Sequence, residues 1–346
     1  MRVYAAMLLG GLLSLLAPGT TLAQQSKVFC VFDPGGANGP IYRMMEDYRS
    51  KAISSGIRLD MRPYPDEDKL VEDYLAGTCD LAGVTDMGAR KFNRFTGSIS
   101  AIGALPYYED LRVLMYILAS RRVDEYLEEG DHVFMGAAPM GAAYLFVNDK
   151  SINHVDALRG KRFAVLEGHL DAEYTIEYLG GIAVEAKISN FHTMFNRGEV
   201  DVAYGPAAAY EVLEMYKGMN NGGGLVKYPV GQITIQLFAR KGEFEERFVH
   251  RSRKNMSRLY PQAMRYVRQY ERDIPEERWV EISGEAIRGY QEMLRNVRIE
   301  MQNSETEEGQ LAARAYHPEM MRVLRKIRCH TNPGSIECMT GGSGQP

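Results

Sequence analysis

The 346-residue sequence holds one tryptophan and only four cysteines. Cys30, Cys79, Cys329 and Cys338 form no Cys-x-x-Cys cluster, and zinc sites want such clusters, so no metal is expected from them. The common catalytic signatures are missing too. There is no Gly-x-Ser-x-Gly elbow, no phosphate-binding P-loop and no Gly-x-Gly-x-x-Gly fingerprint, which argues against an enzyme and against a cofactor. Nor is there a surplus of positive charge: 41 lysines and arginines face 45 acids, a formal net charge of −4, so nothing points to nucleic acid. Beyond the N-terminal residues, no run is long and apolar enough to cross a bilayer, which takes about 20 residues.

What is present begins at the N-terminus. Arg2 precedes an apolar run from Val3 to Leu16, and Thr21 and Ala23 are the small residues that end it. This order predicts a signal peptide over residues 1–23, cut after Ala23, and hence an exported chain. Outside the cytoplasm an even number of cysteines predicts disulfides. Three pairings are open in principle. Cys30 and Cys79 fall on the first and third strands of one unit, which the topology can set side by side. Cys329 and Cys338 bracket the turn signal Asn332-Pro333-Gly334. The expectation is therefore Cys30–Cys79 and Cys329–Cys338.

Val28 to Phe32 is a continuous apolar run, the pattern of a strand buried on both faces. A helical pattern follows through Ile41, Met44, Met45, Tyr48 and Ile53, and Ile57 to Met61 alternates as a strand. A second helix from Asp66 to Gly77 and a strand from Cys79 to Val84 complete the unit. The arrangement then recurs: Phe163 to Gly168 repeats the apolar strand, acid and glycine turn of Phe29 to Gly35. Gly198 to Ala203 repeats Gly77 to Ala82, and Ile182 to Ala186 supplies the middle strand. The fold class read from this is α/β, two Rossmann-like lobes joined by a hinge, with additional C-terminal helices. The segments are 24–145 for the first lobe and 146–232 for the second. Residues 233–328 supply a return strand and helices packing on the first lobe, and 329–346 a disulfide-closed loop and a flexible tail. The crossing strands are placed at Ala143 to Val147 and Ile233 to Ala239.

Parallel strands joined by right-handed crossovers all end on one edge of their sheet, and ligands of open α/β sheets bind outside that edge. Two such edges facing each other make a cleft. The candidate ligand residues are Asp33, Gly35, Gly36 and Asn38 after the first strand, and Thr85, Asp86 and Met87 after the third. Glu167, Gly168, His169, Tyr204, Gly205 and Pro206 come from the second lobe, and Tyr107 and Tyr108 supply aromatic walls. His169, Asp171 and Glu173 are spaced like a metal cluster, yet the two acids suit the first turn of a helix better.

The stretches from Leu70 to Ala82, Asp156 to Val165 and His192 to Asp201 resemble the solute-binding proteins of tripartite ATP-independent periplasmic (TRAP) transporters, or a divergent relative in the type II periplasmic-binding superfamily. The resemblance covers about Val28 to Lys241. It implies a bacterial periplasmic protein that captures a small-molecule solute and hands it to membrane transporter subunits, and the expected form is a monomer. Family members commonly carry a ligand-clamping arginine at the position occupied here by Ala164. Arg162, two residues earlier and on the same strand face, is the candidate replacement. With that cation missing and acids at Asp33, Asp86 and Glu167, a cationic or neutral, partly aromatic ligand is favoured over a carboxylate. The alternative is an accessory protein of an efflux or lipid-export (RND-type) assembly.

Overall fold

Gln25–Phe32 forms the first strand, β1, in a computed structural model that describes residues 25–334 and 336–339. The expected signal peptide and the tail from Thr340 lie outside the described residues. After β1 come α1 (Pro40–Ile53), β2 (Ile57–Tyr64), α2 (Glu67–Leu75) and β3 (Leu81–Thr85). β1 pairs in parallel with β2 on one side and β3 on the other. Central β1 is buried through Phe29, Cys30 and Val31, as its unbroken apolar run predicts. Edge strand β2 buries Ile57, Leu59 and Met61 and exposes Arg58, Asp60 and Arg62, so the alternation in its sequence is the alternation of its two faces. Asp66 caps α2 by accepting the Lys69 amide at 3.1 Å. Cys79 lies just before β3, 5.8 Å from Cys30 by Cα, and the two form a disulfide.

The chain continues through α3 (Asp86–Ala89), α4 (Arg94–Gly97), α5 (Tyr108–Leu118) and the short β4 (Glu128–Glu129) into β5 (His132–Val147). The second lobe follows with β6 (Arg162–Leu166), α6 (Leu170–Tyr178), β7 (Ile182–Ala186), α7 (Phe191–Asn196) and β8 (Val202–Gly205). Its strand order, β7-β6-β8, repeats β2-β1-β3, again parallel. The repeat seen in the sequence is thus a repeat of topology.

α8 (Ala209–Val212) and β9 (Gly224–Val226) lead to β10 (Gly231–Arg240), which returns antiparallel to β5 and then to β3. The crossing differs from the isolated run expected at Ala143 to Val147, because β5 is a 16-residue strand that starts at His132. Its first part pairs with β10 as far as Ala143, and Tyr144 to Val147 pair with β8. Pro139, Gly136 and Gly141 hide the strand in the sequence. In the structure the register skips Met140 and Met135, giving two bulges beside these residues. Gly136 has φ +140, and a Cβ there would lie 2.5 Å from Met256, so the backbone bends where a helix presses on it.

That helix is α9 (Glu246–Asp273); β11 (Trp279–Val280), α10 (Gly284–Asn303), α11 (Glu307–Ala313), α12 (Pro318–Thr331) and α13 (Ile336–Met339) complete the chain. Cys329–Cys338 closes the end of α12 onto α13. The C-terminal helices do not all pack on the first lobe as expected. α9 covers β5 and α1, and α12 lies on α5, but α10 and α11 pack against α6 of the second lobe. Tyr290 and Leu294 of α10 enter that lobe's core, because its sheet leaves an apolar face that its own short helices do not cover.

Candidate functional site

The carboxyl ends of β1, β3 and β8 meet the start of α6 around a cavity of ≈ 240 Å³. Asp33, Thr85, Asp86, Met87, His169, Tyr204, Gly205 and Pro206 line it, so eight of the expected residues share one space. The others do not reach it. Gly35, Gly36 and Asn38 shape the turn into α1, and Glu167 and Gly168 are exposed. Tyr107 is largely open to solvent, its hydroxyl accepting from Gln291 at 3.2 Å. Tyr108 sits between β5 and α9 instead. Its hydroxyl donates to Glu271 at 2.5 Å and accepts the Ala142 amide at 2.9 Å, while Tyr144 donates to the same Glu271 oxygen at 2.8 Å.

Arg162 is at the opposite end of its strand from the cleft. Its guanidinium bonds both oxygens of Asp201, at 3.0 and 2.8 Å, and the Gly198 carbonyl at 3.0 Å, and this ion pair pulls Asp201 down to about 2. It therefore braces β6 against the turn before β8 and does not replace the missing cation. Arg162 and Ala164, two apart on β6, share a strand face, but position along the strand decides which edge a residue serves.

Asp33 is fully buried, and the amides of Gly35, Ile41 and Tyr42 donate to it at 2.8, 2.7 and 2.9 Å. Burial raises its pKa and those three donors oppose the rise. Its carboxylate is therefore spent on the N-terminus of α1, the internal pairing that competes with a ligand role. The arrangement needs Gly39, since a Cβ there would stand 1.8 Å from the Asp33 carboxylate.

Asp86 is placed differently. Its Oδ1 receives the Thr234 amide at a long 3.4 Å and its Oδ2, buried, has no partner. Burial pushes its pKa up to about 6, with Ser100 and Arg90 opposing. Behind it, buried Glu67 accepts the Thr85 amide and hydroxyl, at 2.5 and 2.9 Å, and burial lifts it to about 7. Three more polar atoms of the lining are buried without partners: Gln232 Oε1, His169 Nε2 and Tyr290 Oη. Gln232 directs its amide nitrogen to the Pro106 carbonyl at 3.4 Å, and His169 Nδ1 shares a 2.6 Å bond with Tyr204. Burial lowers His169 to about 4, so the imidazole is neutral at pH 7. Buried polar atoms are rarely left unpaired in a native protein, and four around one cavity leave hydrogen-bonding capacity that a polar ligand could use.

Across the cleft Arg90, after α3, holds Asp171, in the first turn of α6, through two bonds of 2.8 and 3.0 Å. Tyr316 donates to the same carboxylate at 2.9 Å. Burial alone would raise Asp171, but the Arg90 charge keeps it well below the usual carboxylate range. His169, Asp171 and Glu173 do not converge; among the described residues no group of three such side chains could hold a metal.

Sequence reasoning missed a whole wall. Tyr266, Val267 and Tyr270 of α9 and Tyr290, Met293 and Leu294 of α10 all line the cavity. Tyr290, Met293 and Leu294 recur at spacings near three and four, but an apolar stripe looks the same whether it covers a core or a cavity.

A profile of the AdeT 1/2 solute-binding proteins matches residues 50–342. The probable solute-binding protein AdeT1 of Acinetobacter baumannii is 32% identical over 308 residues, 89% of this chain and 98% of that protein. Among solved structures, a TRAP periplasmic solute-binding protein from Desulfovibrio salexigens with bound orotic acid superposes with a TM-score of 0.72. It is 13% identical and covers 88% of this chain and 99% of its own. Another from Rhodoferax ferrireducens, with bound malonate, gives 0.68 at 11% identity, over 89% and 100% of the two chains. The last two likenesses establish a shared two-lobed binding fold, and the first two establish kinship: the chain belongs to the AdeT 1/2 solute-binding protein family.

Proposed function

We propose that this solute-binding protein is exported to the periplasm by its N-terminal leader, closes on one small molecule in the interlobe cavity and delivers it as a monomer to a membrane transporter. The observation that carries the reading is the cavity itself, lined by strand ends of both lobes and furnished with four buried polar atoms that lack partners. A solute touching both lobes is bound more tightly by the closed form, and only such a difference in affinity can drive closure. Asp86, Thr85 and Met87 from one side and His169, Tyr204 and Pro206 from the other are the proposed contacts. The hinge lies where β5 and β10 pass between lobes, beside the bulges and the Tyr108–Glu271–Tyr144 cluster.

A built-in probe makes closure measurable. Trp279, the one tryptophan, packs edge-on against Tyr144 with ring centroids 5.1 Å apart. A saturating solute is expected to shift Trp279 emission and to reduce the radius of gyration in small-angle scattering. If both stay unchanged at saturation, hinge closure is wrong.

A further inference from the structure

Four facts about the cavity bear on what it accepts, given the reading of it as the solute site. First, no lysine or arginine stands among the described residues that line it. The nearby cation, Arg90, already bonds Asp171, Ser100 and the Gly97 carbonyl. Second, the histidine in the wall is neutral at pH 7, because burial holds its pKa down to about 4. Third, two of the unpartnered atoms, Asp86 Oδ2 and Gln232 Oε1, are acceptors and call for donors. Gln232 is fixed in that orientation by the bond from its nitrogen to Pro106. Fourth, the other acids of the lining are satisfied: Asp33 by three amides and Asp171 by Arg90 and Tyr316. An organic anion would enter a space lined by a carboxylate with one unpartnered oxygen and by no cation, and a buried charge without a partner is costly.

We infer that the cleft takes a small amphipathic amine, its ammonium held by Asp86, its N–H groups shared with Gln232 and its apolar body seated among the α6, α9 and α10 side chains. The Tyr204, Tyr266 and Tyr270 rings in the lining suit a cation, whose charge is attracted to aromatic faces. The volume of ≈ 240 Å³ limits the ligand to something small, since drug-sized sites span roughly 300–1,000 Å³. The solutes of the two structural neighbours, orotic acid and malonate, are acids. This cavity is built with the opposite polarity.

The test uses the mature protein and three probes that share a phenyl ring: 2-phenylethylamine, 2-phenylethanol and phenylacetate, compared by calorimetry. The amine is expected to bind at least about tenfold more tightly than phenylacetate. Asp86→Asn should bring the amine down to the level of the alcohol while leaving the alcohol itself unchanged, with folding checked by circular dichroism. Phenylacetate binding as well as the amine, an amine indifferent to Asp86→Asn, or no binding by any probe overturns the inference. Val212→Trp, which fills the cavity from the half-buried α8, separates the two layers of the argument. Amine binding that survives it would overturn the location in the cleft and leave the ligand chemistry standing.

Discussion

The two lobes share one strand order and differ in how they are held. In the first, Cys30 on β1 and Cys79 before β3 are cross-linked, and one continuous core runs from Phe29 to the C-terminal helices. The duplication aligns Cys30 with Ala164 and Cys79 with Val200, so the second lobe has two small buried apolar residues where the first has its bond. Its core is split in two by its sheet, and Phe163, Ile176, Tyr290 and Leu294 belong both to that core and to the cavity wall. Equal topology does not mean equal self-sufficiency. The first lobe's core is one cross-linked body that reaches into the C-terminal helices, whereas the second's is divided by its sheet and carries no cross-link.

The largest effect is expected from cutting the tie between them. Arg90→Ala leaves buried Asp171 with Tyr316 as its remaining side-chain partner and should cost about 3–5 kcal/mol, the range for breaking a buried pair from one side. Urea unfolding gives the magnitude, and a larger radius of gyration in the ligand-free variant would show that the tie holds the lobes together. A loss below about 1 kcal/mol would mean that the bridge is incidental. Converting the first lobe to the second's chemistry, by Cys30→Ala with Cys79→Val, should cost about 2–4 kcal/mol, mainly because the unfolded chain regains its loop entropy. Hydrogen exchange in β1 and β3 should then rise toward that of β6 and β8; unchanged exchange would erase the contrast drawn between the lobes. Smallest is Arg162→Ala. This half-exposed pair contributes no more than about 1 kcal/mol, and solute affinity should not move. A loss of solute binding would restore Arg162 to the site.

How much of this could be read from the chain follows from the range of each interaction. Buried parallel strands announce themselves as apolar runs, so β1, β3 and β6 were legible, and with them the lobes and the Cys30–Cys79 pair. β5 was only half legible, since Pro139 and two glycines normally end a strand and here mark bulges. Asp33 was legible as a residue at a strand end but not as a helix cap, because that role depends on Gly39 leaving room for the carboxylate. The Arg90–Asp171 bridge joins residues 81 apart on different lobes, and no local pattern records such a meeting. The same holds for Gln232, whose orphaned oxygen is a property of the assembled cavity. Arg253 stands between the exposed Arg251 and Lys254 in the sequence, yet it is buried, bonded to Asp124 and the Phe134 carbonyl.

The Arg90–Asp171 bridge also has a consequence for timing. A clasp made wholly of protein atoms favours the shut form whether or not the chamber is filled, and a solute can enter only while the clasp is undone. The fraction of molecules standing open at any moment then multiplies the rate of entry, so a tighter clasp slows loading. It slows escape by the same logic. Where the solute is scarce and the journey to the membrane long, holding cargo outweighs quick capture, and the strength of one arginine–aspartate pair sets the balance between them.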